Sequence, residues 1–273
     1  MSNTTFTSHH IIDFASKRIY ITQLEKGELP QFIAYVENIA KEENLTKIIA
    51  KVSAQESVYF IEEGYAIEAY IPHYFKGKTD AIFVSKYFNA ERKKVETLTL
   101  QEFQQLFATA PKPCAYKLDD AYCIVELSEK EIPEMIAVFK EVFETYPFPI
   151  FDAHFLAQSM NAGNRYFGVF TTQQKLVAVS AAECDEMKEN AEMTDFAIVS
   201  AHRGKGLAYH LLRNMEQALK EKKYKTLYTI ARLHSIAMNK TFYNEHYQYS
   251  GTLTNNTQIA GNIESMNVWY KHL

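Results

Sequence analysis

Hydrophobic periodicity divides the chain into two stretches, each alternating short strands with helices. In the C-terminal stretch Tyr122–Leu127 reads as a strand. Ile132, Met135, Ile136, Phe139, Val142 and Phe143 then give a helix its apolar face, with Pro133 tolerable only in the first turn. A second helix follows, then a hairpin of Tyr166–Thr171 and Lys175–Ala182 around Thr172-Gln-Gln, with Glu192–Val199 as the third strand of the meander. Leu207, Leu211, Leu212, Met215, Ala218 and Leu219 recur at spacings of four, one, three, three and one, which is one helix face. Thr226–Ala231 predicts a strand, Ser235–Asn244 a short helix, and Tyr247–Thr257 and Ser265–His272 two closing strands.

The N-terminal stretch looks like a worn copy of the second part of that order, a chance likeness of two α/β segments being the alternative. Arg18–Leu24, Lys47–Val52, Ala66–Pro72 and Ala81–Tyr87 predict strands, with helices over Pro30–Glu42 and Glu56–Glu63. Phe60-Ile-Glu-Glu-Gly-Tyr65 and Phe242-Tyr-Asn-Glu-His-Tyr247 each end a short helix and enter a strand. The two copies meet near Ala108-Thr-Ala-Pro-Lys-Pro-Cys-Ala-Tyr116, where Pro111 and Pro113 favour extended backbone. The expected organisation is a smaller α/β domain over residues 1–110, a linker over 111–120 and a second domain over 121–273.

Composition narrows the functional classes. A hydrophobic fraction of 47% and a charged fraction of 23% suit a globular protein. The net charge of −4 gives no global pull toward nucleic acid or anionic membrane, so any phosphate site must be local. No apolar run approaches the roughly 20 residues of a membrane span, and residues 1–18 lack a signal-peptide core. Cys114, Cys123 and Cys184 show no Cys-x-x-Cys spacing, so neither zinc nor a disulfide framework is indicated and reduced thiols in a cytoplasmic protein are expected. His9 and His10 are expected to be solvated.

The strongest chemical signal lies between the Glu192–Val199 strand and the helix that follows. Arg203-Gly-Lys-Gly-Leu-Ala208 places two glycines and two cations at a helix N-terminus, where unpaired N–H groups and the dipole favour phosphate. It is neither a Walker loop nor a dinucleotide fingerprint, because Tyr209 stands where the latter's third glycine would be. It resembles the Arg/Gln-x-x-Gly-x-Gly/Ala loop of the GCN5-related N-acetyltransferase (GNAT) superfamily. The element order over 121–273 is similar to that α/β fold too. The resemblance implies an acetyl-coenzyme A-dependent acyltransferase. Phe196, Ile198 and Val199 would offer backbone groups to the pantetheine arm, and Arg203, Gly204, Lys205, Gly206, Leu207 and Ala208 would hold the pyrophosphate. The N-terminal copy has Glu25-Lys-Gly-Glu-Leu29 at the equivalent turn and no Arg-x-x-Gly, so it is not expected to bind the coenzyme.

Direct attack by an amine requires its neutral form, and with an alkylammonium pKa near ~10.4 a proton acceptor is needed. Glu192 lies eleven residues before Arg203, the place of the catalytic glutamate in the superfamily's histone acetyltransferases. Asp195 is the other candidate, as base or as an anchor for a substrate ammonium. By the same resemblance Tyr243 would protonate the leaving thiolate. The superfamily's asparagine seven residues before that tyrosine is absent, since Ile236 stands there beside Ser235, and Asn239 is expected to compensate.

Several longer segments resemble the beta-lysine N-acetyltransferases in particular. They are Glu192-Met-Thr-Asp-Phe-Ala197, Tyr228-Thr-Ile-Ala-Arg232, Met238-Asn239, Tyr146-Pro-Phe-Pro-Ile150 and the tail from Gly251 to Lys271. That family also carries an extra N-terminal region and acetylates the terminal amine of 3,6-diaminohexanoate to make a compatible solute. A diamino acid needs anions for its retained ammonium, which Asp195, Glu183, Asp185 and Glu264 could supply. It needs donors for its carboxylate, which Arg232, Asn255, Asn256 and Asn267 could supply. Tyr146 and Phe148 would cover its aliphatic chain. Another polyamine, a protein lysine, or a non-catalytic acyl-coenzyme A-binding module are the alternatives. Oligomeric state, a homodimer included, is left open.

Overall fold

The computed structural model describes residues 5–115, 117–259 and 261–273. Residues 1–4 of the N-terminal segment, Tyr116 of the expected linker and Ala260 of the tail lie outside the described residues. The N-terminal half comprises β1 (His9–Asp13), β2 (Arg18–Gln23), α1 (Gln31–Glu42), β3 (Lys47–Ser53), α2 (Ala54–Glu62), β4 (Ala66–Phe75), β5 (Thr79–Tyr87) and α3 (Thr97–Gln104). The C-terminal half comprises β6 (Tyr122–Leu127), α4 (Ile132–Val142), α5 (Ala153–Asn161), β7 (Arg165–Thr171), β8 (Leu176–Asp185), β9 (Asn190–Ile198), α6 (Leu207–Glu221), β10 (Thr226–Arg232), α7 (Ile236–Asn244), β11 (Gln248–Ile259) and β12 (Asn262–His272). The five strands of the first half run β1-β2-β3-β5-β4, and the seven of the second run β11-β12-β10-β9-β8-β7-β6.

The repeat read from sequence is a repeat of topology. β2-α1-β3-α2-β4-β5 has a parallel first pair and spatial order β2-β3-β5-β4. β9-α6-β10-α7-β11-β12 has a parallel first pair and order β9-β10-β12-β11. The helix exits match in detail. Tyr65 N donates to Phe60 O at 2.9 Å and Tyr247 N to Phe242 O at 3.0 Å. Each tyrosine ring meets its phenylalanine edge-on at 5.1 Å, and Gly64 and His246 before them both take the left-handed conformation.

Alternation along β2 and β3 explains how the halves pack. Ile19, Ile21, Ile48, Ala50 and Val52 face α1 and α2 in one core. The opposite face of the same sheet places Ile49, Ala69, Ile71 and Phe83 against Tyr228, Leu253, Met266 and Val268 of the larger sheet. The remainder of that larger face is covered by α4 and α5, and its other face by α6 with Phe242 of α7. One charged pair, Lys47 with Glu68, is enclosed at the seam. Lys47 is 0% exposed and its Nζ lies 2.8 Å from both Glu68 Oε2 and Thr254 O. Glu68 also accepts from Ser85, Tyr87 and the Thr254 N–H.

Two elements had no counterpart in the sequence reading. β1 pairs antiparallel with β2, so His10 packs on Phe32 and Tyr35 instead of standing free in water. α3 carries Phe103 onto Trp269 and Tyr249, in the core of the larger sheet.

Candidate active site

The loop between β9 and α6 turns on two glycines at the start of a helix. Gly204 and Gly206 have φ of 76° and 73°, a region costly for L-residues with a side chain. Gly206 is the N-cap of α6 and no side chain caps the helix. Among the described residues the N–H groups of Gly204, Lys205, Gly206, Leu207 and Ala208 donate to no acceptor. Five consecutive open donors at the positive end of a helix are the chemistry a pyrophosphate needs.

Next to this loop the larger sheet opens. β9 and β10 pair only from Asn190–Thr226 to Glu192–Tyr228, and beyond that register they no longer pair. On its other edge β9 bulges. Val179 pairs Ala197 and Ala181 pairs Thr194, so Asp195 and Phe196 together face Ser180, with Asp195 at φ 57°. The opening is the mouth of a cavity of about 610 Å³ whose wall includes Glu183, Glu192, Asp195, Tyr228 and Arg232. Tyr146 and Phe148 from the α4–α5 loop line one side, Met238 and Phe242 of α7 another, and Arg18, Tyr20, Ile49 and Lys51 of the N-terminal sheet close it. Because α7 and the N-terminal sheet lie on opposite faces of the larger sheet, the cavity passes through the gap between the strands.

Three carboxyl groups and one buried ammonium set the electrostatics. Burial raises Glu192 above the ordinary carboxylate range, while Lys51 and the Tyr228 hydroxyl pull it partly back. Burial, with Glu192 and Asp195 beside it, pushes Glu183 up to about 8. Burial also raises Asp195, although it accepts hydrogen bonds from Tyr146 and Thr194. Lys51 donates to Tyr228 Oη at 2.9 Å and lies 4.9 and 4.7 Å from the Tyr74 and Tyr228 ring centres. Buried acids with raised titration ranges beside a lysine are groups suited to proton exchange with a guest amine.

Residues 125–242 match the Acetyltransferase (GNAT) family. The chain is 36% identical over 258 residues to the beta-lysine N(6)-acetyltransferase of Methanococcus maripaludis, covering 93% of this chain and 92% of that one. The chain belongs to the GNAT acetyltransferase family. It is also 28% identical to the N-acetyltransferase YodP of Bacillus subtilis, over 96% of this chain and 94% of that protein. It is 30% identical to the beta-lysine N(6)-acetyltransferase of Methanosarcina mazei, over 58% of each. GNAT enzymes take acetyl-coenzyme A as co-substrate, and the open donors of the Gly204–Ala208 loop fit its pyrophosphate.

Within this GNAT site the structure brings together Glu192, Asp195, Glu183, Phe196, Tyr146, Phe148, Arg232 and Asn256. Other expected residues are committed elsewhere. Tyr243 donates to Thr109 O at 2.7 Å and packs on Phe107 and Trp269, outside the cavity wall. Asn239 is fully buried. Its amide donates to Arg232 O and Ser235 O, and its Oδ1 accepts from Asn267 and Trp269, so it pins α7 to the sheet. Val199 N–H is taken by Val177 O, while Ile198 O accepts from Arg203 Nε. Lys205 turns to the Tyr122 hydroxyl at 2.8 Å.

Among the substrate candidates, Glu264 spends both oxygens on Arg232, at 2.7 and 2.6 Å. Asn255 donates to Arg92 O and Lys94 O, Asn267 bonds Asn239 and Thr252, and Asp185 holds Lys188 in the β8–β9 turn. These four side chains serve the framework. The reading from sequence missed Arg18, Tyr20 and Lys51. Lysine and arginine among alternating apolar residues read as the wet face of a strand, and nothing local marks that face as covered by a second sheet.

Proposed function

We propose that this GNAT enzyme transfers the acetyl group of acetyl-coenzyme A to the terminal amine of beta-lysine by direct attack. One observation carries the reading. The acid-lined cavity passes through the splayed strands to the side where the Gly204–Ala208 donors and α7 lie, so amine and acyl donor approach from opposite faces of the sheet. The coenzyme supplies the acyl group as a thioester. Gly204, Gly206, Leu207 and Ala208 hold its pyrophosphate through their N–H groups, and the unpaired edge of β9 beyond Glu192 offers backbone groups to its arm. Glu192 takes the proton from the substrate ammonium, the neutral amine attacks the thioester carbonyl, and the C–S bond breaks to release coenzyme A, whose thiolate takes the proton lost from the new amide nitrogen, with Asp195 beside the amine. Tyr146 and Phe148 cover the aliphatic chain. The beta-lysine assignment is supported by the names of two relatives. Among the described residues Cys114, Cys123 and Cys184 form no disulfide, which supports a reducing, cytoplasmic setting.

Steady-state thiol release tests the substrate. Beta-lysine should exceed alpha-lysine by about tenfold or more in kcat/KM, because the wrong isomer leaves a buried polar contact unmade at roughly 1–3 kcal/mol. NMR of the product should place the acetyl group on the terminal amine. Equal efficiency for the two isomers, or a better protein lysine, would withdraw beta-lysine as the substrate.

The loop has its own test. Gly206→Val puts a β-branched residue at φ 73° and a side chain at the donors. Calorimetry should record at least a roughly tenfold loss of coenzyme affinity, given charge-assisted contacts of about 1.5–3 kcal/mol. A folded variant that binds acetyl-coenzyme A as tightly as the native enzyme would move the pyrophosphate elsewhere.

A further inference from the structure

Two arginines line the cavity, and they differ in what they have left to give. Arg232 engages Glu264 through both Nε and Nη2. Arg18, at the start of β2, gives Nε to Asp13 Oδ2 at 3.2 Å and Nη1 to Thr257 Oγ1 at 3.1 Å. Its Nη2 makes no hydrogen bond among the described residues, and its side chain is only 12% exposed. Thr257 Oγ1 also accepts from Asn256 Nδ2 at 3.2 Å, so one hydroxyl ties Arg18 to Asn256. Among the described residues the Asn256 Oδ1 is buried without a hydrogen-bond partner, an acceptor whose desolvation is uncompensated until a donor arrives. Side by side in the cavity wall stand a guanidinium with a free edge and a carbonyl oxygen lacking a donor.

We propose that Arg18 and Asn256 form the receptor for the far end of the acceptor amino acid. Arg18 binds its carboxylate and Asn256 Oδ1 accepts from the neighbouring ammonium. The inference rests on the diamino acid reading above and assigns to the N-terminal half a part in substrate choice. Dimensions agree. Tyr20, two residues along β2, is close enough to Lys51 and Glu192 to feel their charges. A two-residue strand step covers about 6.6 Å, and five or six zigzag single bonds of about 1.5 Å span a similar length. Arg18 and Glu192 line the same cavity, so a substrate with its reacting amine near Glu192 can extend its other end toward Arg18.

Three six- or five-carbon acceptors separate the two contacts: beta-lysine, 6-aminohexanoate, which lacks the second ammonium, and 1,4-diaminopentane, which lacks the carboxylate. Arg18→Gln should lower kcat/KM for beta-lysine and 6-aminohexanoate by about 10- to 100-fold, chiefly through KM, and leave 1,4-diaminopentane within about threefold. Arg18→Lys should recover part of the loss. Asn256→Leu should do the converse, penalising beta-lysine and 1,4-diaminopentane while sparing 6-aminohexanoate. Equal losses on all three acceptors, or none, in both variants would overturn the receptor while leaving the enzyme's substrate in place. A wild-type enzyme that acetylates 1,4-diaminopentane but not beta-lysine would overturn both the receptor and the diamino acid reading.

Discussion

Glu192→Gln is expected to lower kcat by about 10²- to 10⁴-fold at neutral pH, the usual contribution of a positioned general base. The sign of the pH dependence follows from the direction of its shift. Burial raises the Glu192 carboxyl, so the base is lost by protonation as pH falls through a value above the ordinary carboxylate range. The native enzyme should therefore lose activity at a higher pH than an unperturbed glutamate would dictate. In Glu192→Gln that limb disappears, and the remaining rise with pH reports only the fraction of neutral amine. The deficit should then shrink toward pH 10, where the substrate deprotonates in water. Rates measured from pH 6 to 10 in both proteins decide this. Native rates with an unchanged profile in the variant would transfer the base to Glu183 or Asp195.

Glu68→Ala is expected to destabilise the protein by about 3–5 kcal/mol, the cost of breaking a buried pair and stranding one charge. Lys47, 0% exposed, would keep only Thr254 O as partner, and Ser85, Tyr87 and the Thr254 N–H would lose their acceptor. For a chain of this size that corresponds to a fall of about 10 °C in Tm. Lys47→Met with Glu68→Leu should recover most of the loss, since an apolar pair of similar volume removes both charges from the seam. Thermal and urea unfolding of the native, single and double variants test the cycle. A single variant within about 1 kcal/mol of native stability would show that the pair does not hold the two halves together.

The element order was legible in the sequence because periodicity is local. The face of α6, the edges of β6 and the alternation of β3 depend on residues only a few positions apart. The Gly204–Gly206 turn was legible for the same reason, as positive φ and open helix-end donors are properties of six consecutive residues. The repeat could be read from Phe60–Tyr65 against Phe242–Tyr247, since each hexapeptide closes its own turn. What the sequence by itself determined is therefore most of the element order, the glycine turn and the family.

The partners of charged and polar side chains were decided only by tertiary structure. Asn255, Glu264 and Asn267 looked free to meet a substrate, yet Arg92, Arg232 and Asn239 satisfy them first. Those pairings arise from strand register and from one sheet stacking on another, with partners up to 163 residues apart. Arg18 and Lys51 followed the opposite course: the sequence reading gave them no role, and the larger sheet covers the face that carries them. The bulge that turns Asp195 into the cavity has no signal among its neighbours, for it depends on which residue of β8 lies opposite. Burial is set by what arrives from elsewhere in the chain, and desolvation can raise a carboxyl or bury an arginine only once that surface has arrived.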